Sequence, residues 1–111
     1  MKTSISFDQF QGLDLRIGTI VEVADFAKAR KPAYQLTIDF GDLGIKTSSA
    51  QITDLYQKSE LVNRQIMALV NIAPRQIADF ESQCLVMGVL GETGVVLLAP
   101  ESAVPNGSPV N

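Results

Sequence analysis

Apolar and polar residues alternate most strictly along "YQLTIDF", residues 34–40, which is typical of a strand with one buried face. A second extended segment, "RIGTIVEV" (residues 16–23), puts four side chains on one face, namely Ile17, Thr19, Val21 and Val23. Gly18 within it indicates a bulge or strong coiling, which a small closed barrel requires. "IKTSSA" (45–50) follows the turn "GDLG" and completes a predicted set of three strands.

Two segments have helical spacing instead. Ser6 and Gln9 stand at capping-box positions, and the apolar residues that follow share one face, so a short helix is predicted over about 6–13. "SAQITDLYQKSEL" (49–61) is polar, begins at a serine suited to a helix cap and spaces its apolar residues helically. This segment predicts a second short helix or helical turn.

Three later strands are predicted at "QIMALVNI" (65–72), "CLVMGVL" (84–90) and "VVLLA" (95–99), with "GETG" a tight turn between the last two. The first and the last of them are apolar on both faces. The order of three strands, a helix and two strands predicts an all-β, five-stranded Greek-key OB-fold barrel with short helices and an extended C-terminal segment. An SH3-like barrel or small sandwich has a similar pattern. Strands buried on both sides need a cover, and a second copy of the chain is the economical one, so a homodimer is expected.

Length and composition set the frame for this fold. With 111 residues, 46% of them apolar, the chain is expected to form one domain: helix about 6–13, barrel about 15–99 and tail about 100–111. One cysteine and no visible signal peptide or membrane-spanning run favour a cytoplasmic protein without membrane insertion. A net charge of −3 argues against nonspecific coating of nucleic acid, but a local basic patch remains compatible with it.

The usual catalytic and metal-binding side chains are missing. Histidine is absent, the single Cys84 begins an apolar strand, and no carboxylates have metal-ligand spacing. We therefore expect a non-catalytic protein that needs no metal or cofactor.

The basic residues are better placed for a function. Lys28, Arg30 and Lys31 occupy the loop after the first strand, Lys46 lies on the third strand, and Arg75 follows the fourth. In an OB barrel these positions flank the nucleic-acid-binding face, although a merely solubilising loop would look the same. The aromatic residues of strand 34–40 alternate with polar ones and are predicted to be core, so no stacking platform is expected.

Three segments, "LDLRIGTIVEV" (13–23), "SSAQIT" (48–53) and "NIAPRQIADFESQCLVMG" (71–88), resemble the CsaA family within the tRNA-binding OB domains. Such domains also occur fused to some methionyl- and phenylalanyl-tRNA synthetases. The resemblance implies an OB-fold homodimer with terminal segments in its interface. It also implies tRNA binding and a chaperone role linked to protein export, which remain two alternatives that could coexist.

The family motif matches Asn71, Pro74, Arg75, Ser82 and Leu85. The resemblance implies that Arg75 and Ser82 face RNA, so the RNA-binding candidates are Asn71, Arg75, Ser82, Lys28, Arg30, Lys31 and Lys46. Two residues depart from the family pattern, since Asp79 and Cys84 stand where glycines are common. Asp79 adds a negative charge beside the expected site. A structural alternative is that Arg75 pairs with Asp79 or Glu81 and only holds its loop.

Overall fold

Strands dominate the computed structural model, which describes residues 1–111 and contains two α-helices, a 3-10 helix at Gly41–Leu43 and ten strands. The helices are α1 (Phe7–Gln11) and α2 (Lys58–Leu61). The strands are β1 (Leu15–Asp25), β2 (Tyr34–Asp39), β3 (Ile45–Ala50), β4 (Gln65–Leu69), β5 (Arg75–Ile77), β6 (Phe80–Ser82), β7 (Leu85–Val86), β8 (Gly88–Leu90), β9 (Val95–Leu97) and β10 (Pro109–Val110).

The main sheet has the antiparallel order β3-β2-β1-β4-β7. β1 is long enough to pair with β4 along its first half and with β2 along its second half. β3 then meets the segment after β6, where the Gln83 amide donates to the Thr47 carbonyl at 2.7 Å. This nearly closed, barrel-like sheet confirms the predicted all-β, OB-like fold.

The core lies inside this curled sheet and is lined by one face of each strand. β2 contributes the most regular part, since its residues alternate between buried and half-buried. The largest fully buried side chains are Phe40, Ile20, Leu36, Ile38, Leu61 and Ile66. Burying each such side chain stabilises the fold by about 1.5–3 kcal/mol. The predicted core role of Tyr34 and Phe40 is confirmed, because they are only 9% and 0% exposed.

The irregularity expected at Gly18 lies further along β1. The register with β2 shifts between Ile20 and Glu22, so a bulge forms there and the predicted shared face of Ile17, Thr19, Val21 and Val23 is broken. Gly18 serves close packing instead. A Cβ atom at this position would lie 2.7 Å from the side chains of both Ile38 and Phe40.

The helical predictions have different outcomes. α1 begins after Ser6, whose hydroxyl accepts from the Gln9 amide at 3.1 Å, so the predicted capping box is confirmed. The second helix begins later than expected, because Ser49 belongs to β3 and Gln57 caps α2. The extended pairing of β3 with β2 takes precedence over the local capping preference of the serine.

Two segments differ from the sequence prediction. The predicted strand over 84–90 is interrupted, since β7 pairs with β4 whereas β8 forms a separate hairpin with β9 across the "GETG" turn. The predicted loop between Arg75 and Ser82 is a β-hairpin. At the C-terminus, a turn at Asn106 and Gly107 returns the tail to β1, with which β10 pairs.

Candidate nucleic-acid interface

A cleft of about 580 Å³ opens at one end of the barrel. Its walls come from three parts of the chain: the β1–β2 loop, the end of β3 and the stretch from Ile72 to Leu85. The sheet topology brings these segments together, because β3 closes the barrel against residues 82–84. The cleft therefore lies beside the loops that carry the basic residues singled out from the sequence.

The charged residues that line the cleft are all cationic. They are Arg30 and Lys31 from the loop and Arg75 from β5, whereas no aspartate or glutamate contributes to the lining. None of the three takes part in the ion pairs of the structure, which join Arg16 to Asp14, Lys28 to Asp79 and Lys58 to Asp25. Three uncompensated cations thus share one concave surface on a chain of net charge −3.

The β5–β6 hairpin sets the positions of Arg75 and Ser82. These two residues are direct cross-strand partners, so their side chains leave the same face of the hairpin. The Ser82 hydroxyl oxygen accepts from the backbone amide of Ser49 at 3.0 Å, which ties the hairpin to β3. A hydroxyl that accepts in this way still has its proton to donate, so Ser82 can offer a hydrogen bond to an anionic oxygen.

The tip of the hairpin is fastened to the β1–β2 loop. Lys28 Nζ lies 2.8 Å from Asp79 Oδ2, and the rings of Phe26 and Phe80 pack with their centroids 5.3 Å apart. The hydrogen bond with Asp79 raises the pKa of Lys28, and the same contact lowers the pKa of Asp79. We call these two contacts the clasp. It connects two walls of the cleft.

The carboxylates near Arg75 bear on the alternative in which it pairs with Asp79 or Glu81. Asp79 is paired with Lys28, and Glu81 accepts a hydrogen bond from the Gln83 side chain at 3.0 Å. Arg75 forms an ion pair with neither carboxylate, so the alternative pairing with Asp79 or Glu81 is not present, and RNA binding by Arg75 remains a prediction. Arg75 is exposed and lines the cleft.

Three candidates lie outside the cleft lining: Lys28, which is held in the clasp, and Asn71 and Lys46. Asn71 accepts from the Asp14 amide at 2.9 Å and donates to the Gly12 carbonyl at 2.7 Å, so its side chain holds the segment after α1. Lys46 pairs across the sheet with Ile38, and its charge partly opposes the effect of burial on Cys84. Burial raises the pKa of the Cys84 thiol to about 11. RNA binding by these three residues, as by the candidates inside the cleft, remains a prediction.

The cleft also contains residues that the charge pattern did not single out. Ser49 and Gln51 provide polar groups, and Ile72 and Leu85 are exposed apolar side chains on its surface. All four lie within the "SSAQIT" and "NIAPRQIADFESQCLVMG" segments. These motifs, and not the charge pattern, are therefore the sequence feature that could have identified them. No group of three histidine, cysteine, aspartate or glutamate side chains could hold a metal ion. No helix has the length and apolar character needed to cross a membrane.

Comparison with known proteins identifies the family. Residues 15–109 match the model of the family described as "Putative tRNA binding domain". The chain belongs to the tRNA-binding domain family. Methionine–tRNA ligases carry related sequences: that of Pyrococcus furiosus is 36% identical over 106 residues, and that of Flavobacterium johnsoniae is 32% identical over 111 residues. The matches cover 96% and 99% of this chain but only 14% and 15% of the ligases, so the chain spans about one seventh of these relatives.

Solved structures extend the comparison to whole chains. The chaperone CsaA of Bacillus anthracis is 46% identical with a TM-score of 0.92, covering 98% of this chain and 100% of that one. The CsaA chaperone of Picrophilus torridus is 49% identical with a TM-score of 0.92, covering 97% and 100%. The expected relationship to the CsaA family within the tRNA-binding OB domains is confirmed.

Proposed function

We propose that this protein is a non-catalytic tRNA-binding module of the CsaA type and that its cationic cleft contacts the RNA backbone. The observation that carries the proposal is the charge of the cleft: Arg30, Lys31 and Arg75 line it without a carboxylate. Phosphate contacts supply most of the affinity in protein–nucleic acid complexes, and arginine suits them through its planar set of donors. Membership of the tRNA-binding domain family supports the same function.

The test is titration of bulk tRNA at several salt concentrations. Arg75→Ala should weaken binding at least about tenfold, since a hydrogen bond to a charged group contributes roughly 1.5–3 kcal/mol. A double variant, Arg30→Ala with Lys31→Ala, should flatten the dependence of affinity on salt. Each lost phosphate contact lowers the slope by about 0.7–0.9.

A matched control separates the cleft from overall charge. Lys58→Ala also removes one cation, but Lys58 lies on α2 and pairs with Asp25 outside the cleft. Its affinity for tRNA should therefore stay close to that of the unsubstituted protein. Equal tRNA affinity in Arg75→Ala, the double variant and Lys58→Ala, with all three folded, would reject the cleft as the RNA site.

A second proposal concerns the exposed apolar side chains of the terminal helix and of the β8–β9 hairpin, which we assign to contacts with a second copy of the chain. α1 buries none of its residues, and Phe7 and Leu90 are 69% and 88% exposed. Nevertheless Asn71 holds the segment that follows α1 in place, so the apolar side chains of α1 are presented in a fixed position. Such a surface on a small protein marks an interaction site, and two-fold dimers are the commonest oligomers.

Light scattering at micromolar concentration tests this assignment. We expect twice the chain mass of 12.0 kDa, and a shift to the monomer mass in Phe7→Asp. Leu43→Asp changes an apolar residue that is 45% exposed on the 3-10 helix and should leave the mass unchanged. If the protein is a monomer and binds an unfolded polypeptide, these apolar side chains are assigned instead to the chaperone function named for the CsaA proteins.

A further inference from the structure

The cleft combines cations with exposed apolar side chains, which phosphate binding alone does not require. Ile72 is 39% exposed and Leu85 46% exposed, and both line the cleft together with Arg30, Lys31 and Arg75. A surface that only follows an RNA backbone needs charges and hydrogen-bond donors. Apolar side chains kept in contact with water beside those charges indicate a ligand with both an anionic and an apolar part.

The polar neutral residues add a third property. Gln51 is exposed, and its side-chain amide can both donate and accept hydrogen bonds at the end of β3. Ser82 has a hydroxyl proton to donate once it has accepted from Ser49. Anion-binding groups, an apolar surface and an amide that can contact a base edge are the elements of a nucleotide site.

We propose that the cleft holds one unpaired nucleotide of an RNA. Its phosphate contacts Arg30, Lys31 and Arg75, and its base covers Ile72 and Leu85 within reach of Gln51. This inference rests on the proposed RNA-binding function and specifies which part of an RNA enters the site. The volume of about 580 Å³ falls in the range of roughly 300–1,000 Å³ that is usual for small-ligand sites.

Paired RNA does not suit the same cleft. The bases of an A-form helix are stacked and their apolar faces are inaccessible, so only unpaired nucleotides can place a base on a protein surface. The lining contains no aromatic side chain, and the aromatic residues of β2 are buried in the core. The base would therefore pack on aliphatic side chains and on the guanidinium plane of Arg75, as arginine commonly permits.

The experiment follows backbone amide signals by NMR during titration of isotope-labelled protein. The probes are a single-stranded ribotetranucleotide, a blunt RNA duplex and inorganic phosphate, and each is also tested as a competitor of labelled tRNA. We expect the tetranucleotide to shift the amides of residues 72–73, 75 and 85 and to displace tRNA. The duplex should do neither at equal nucleotide concentration.

Two matched variants test the apolar part of the site. Leu85→Ser should weaken tetranucleotide binding about tenfold because it removes an apolar contact. Its response to inorganic phosphate should be unchanged. Leu43→Ser removes a leucine of nearly equal exposure, 45%, outside the cleft, and should leave binding of both probes unchanged.

The outcomes separate this inference from the proposed function. If tRNA binds but the tetranucleotide shifts no cleft amide, or if phosphate alone reproduces its shifts, the nucleotide site is rejected and the RNA-binding function stands. If the tetranucleotide binds in the cleft whereas tRNA does not bind, the nucleotide site stands and the tRNA function is rejected. Equal loss of tetranucleotide binding in Leu85→Ser and Leu43→Ser also overturns the proposal.

Discussion

The Lys28–Asp79 ion pair gives a prediction about how strongly the cleft can attract RNA. The two charged atoms are 2.8 Å apart, and their side chains are 68% and 66% exposed. Asp79→Asn keeps the size of the side chain but removes the carboxylate, so Lys28 becomes available to a phosphate. Exposed pairs contribute little to folding, so the variant should remain folded.

The change in salt dependence can be worked out from the number of cations. If Arg30, Lys31 and Arg75 each neutralise one phosphate, the slope of log affinity against log salt is about −2.1 to −2.7. Addition of Lys28 makes it about −2.8 to −3.6. If the affinities are equal at 1 M salt, this extra contact should tighten tRNA binding about five- to eightfold at 0.1 M salt.

Fluorescence anisotropy of labelled tRNA at four or more salt concentrations measures both quantities. The matched control is Asp42→Asn, which changes net charge by the same amount at an exposed position outside the cleft. Lys28→Ala combined with Asp79→Asn should return the slope to that of the unsubstituted protein. Identical slopes and affinities for Asp79→Asn and Asp42→Asn would refute the idea that pairing with Asp79 keeps Lys28 from contacting a phosphate.

The pH range of the pair follows from its pKa shifts. The pKa of Asp79 is lowered by its contact with Lys28. Its contribution to the stability of the fold is therefore present above the ordinary carboxyl pKa of 3.8 and is lost as pH falls through the lowered pKa. The pKa of Lys28 is raised above 10.5. Its contribution to stability is therefore present below pH 10.5 and is lost as pH rises through the raised pKa. The effect of Asp79→Asn should therefore be the same at pH 6 and pH 8.

Two further predictions concern the fold. Gly18→Ala places a methyl group 2.7 Å from buried side chains of Ile38 and Phe40, and such overpacking costs about 1–3 kcal/mol. The urea midpoint should fall, and an unchanged midpoint would contradict the packing argument. Because burial raises the Cys84 pKa from 9.0 to about 11, its thiolate fraction at pH 8 is about a hundredfold lower. A thiol reagent should thus react far more slowly with folded than with urea-unfolded protein, and equal rates would disprove the shift.

The elements of the fold that could be predicted from sequence are strands with one buried face. β2 follows strict alternation because its outer face meets water, so its core residues could be read directly. The β5–β6 hairpin could not, since its turn at Ala78 and Asp79 lacks the usual Asn-Gly signal. Ala78 adopts φ +53°, a conformation that favours glycine, and pairing along the hairpin holds it there.

The site was predictable to the extent that the motif residues determine it. Arg75, Ser82, Arg30 and Lys31 meet in one cleft as the loop positions indicated, because the barrel brings the ends of its strands together. Lys28 is instead paired with Asp79, which lies 51 residues later in the chain. No local pattern identifies such a pair, since it depends on where the hairpin tip meets the β1–β2 loop.

The distribution of charge explains how an acidic chain could bind a polyanion selectively. Of nine basic residues, three are held in ion pairs and Arg64 lies over the ring of Tyr56, whereas three line the cleft without a carboxylate. At physiological salt a charge acts over about 8 Å, so the net charge of −3 does not cancel attraction inside the cleft. Elsewhere the acidic surface disfavours contact with a phosphate backbone. In the proposed complex, RNA would therefore be held where its shape lets it reach the cleft.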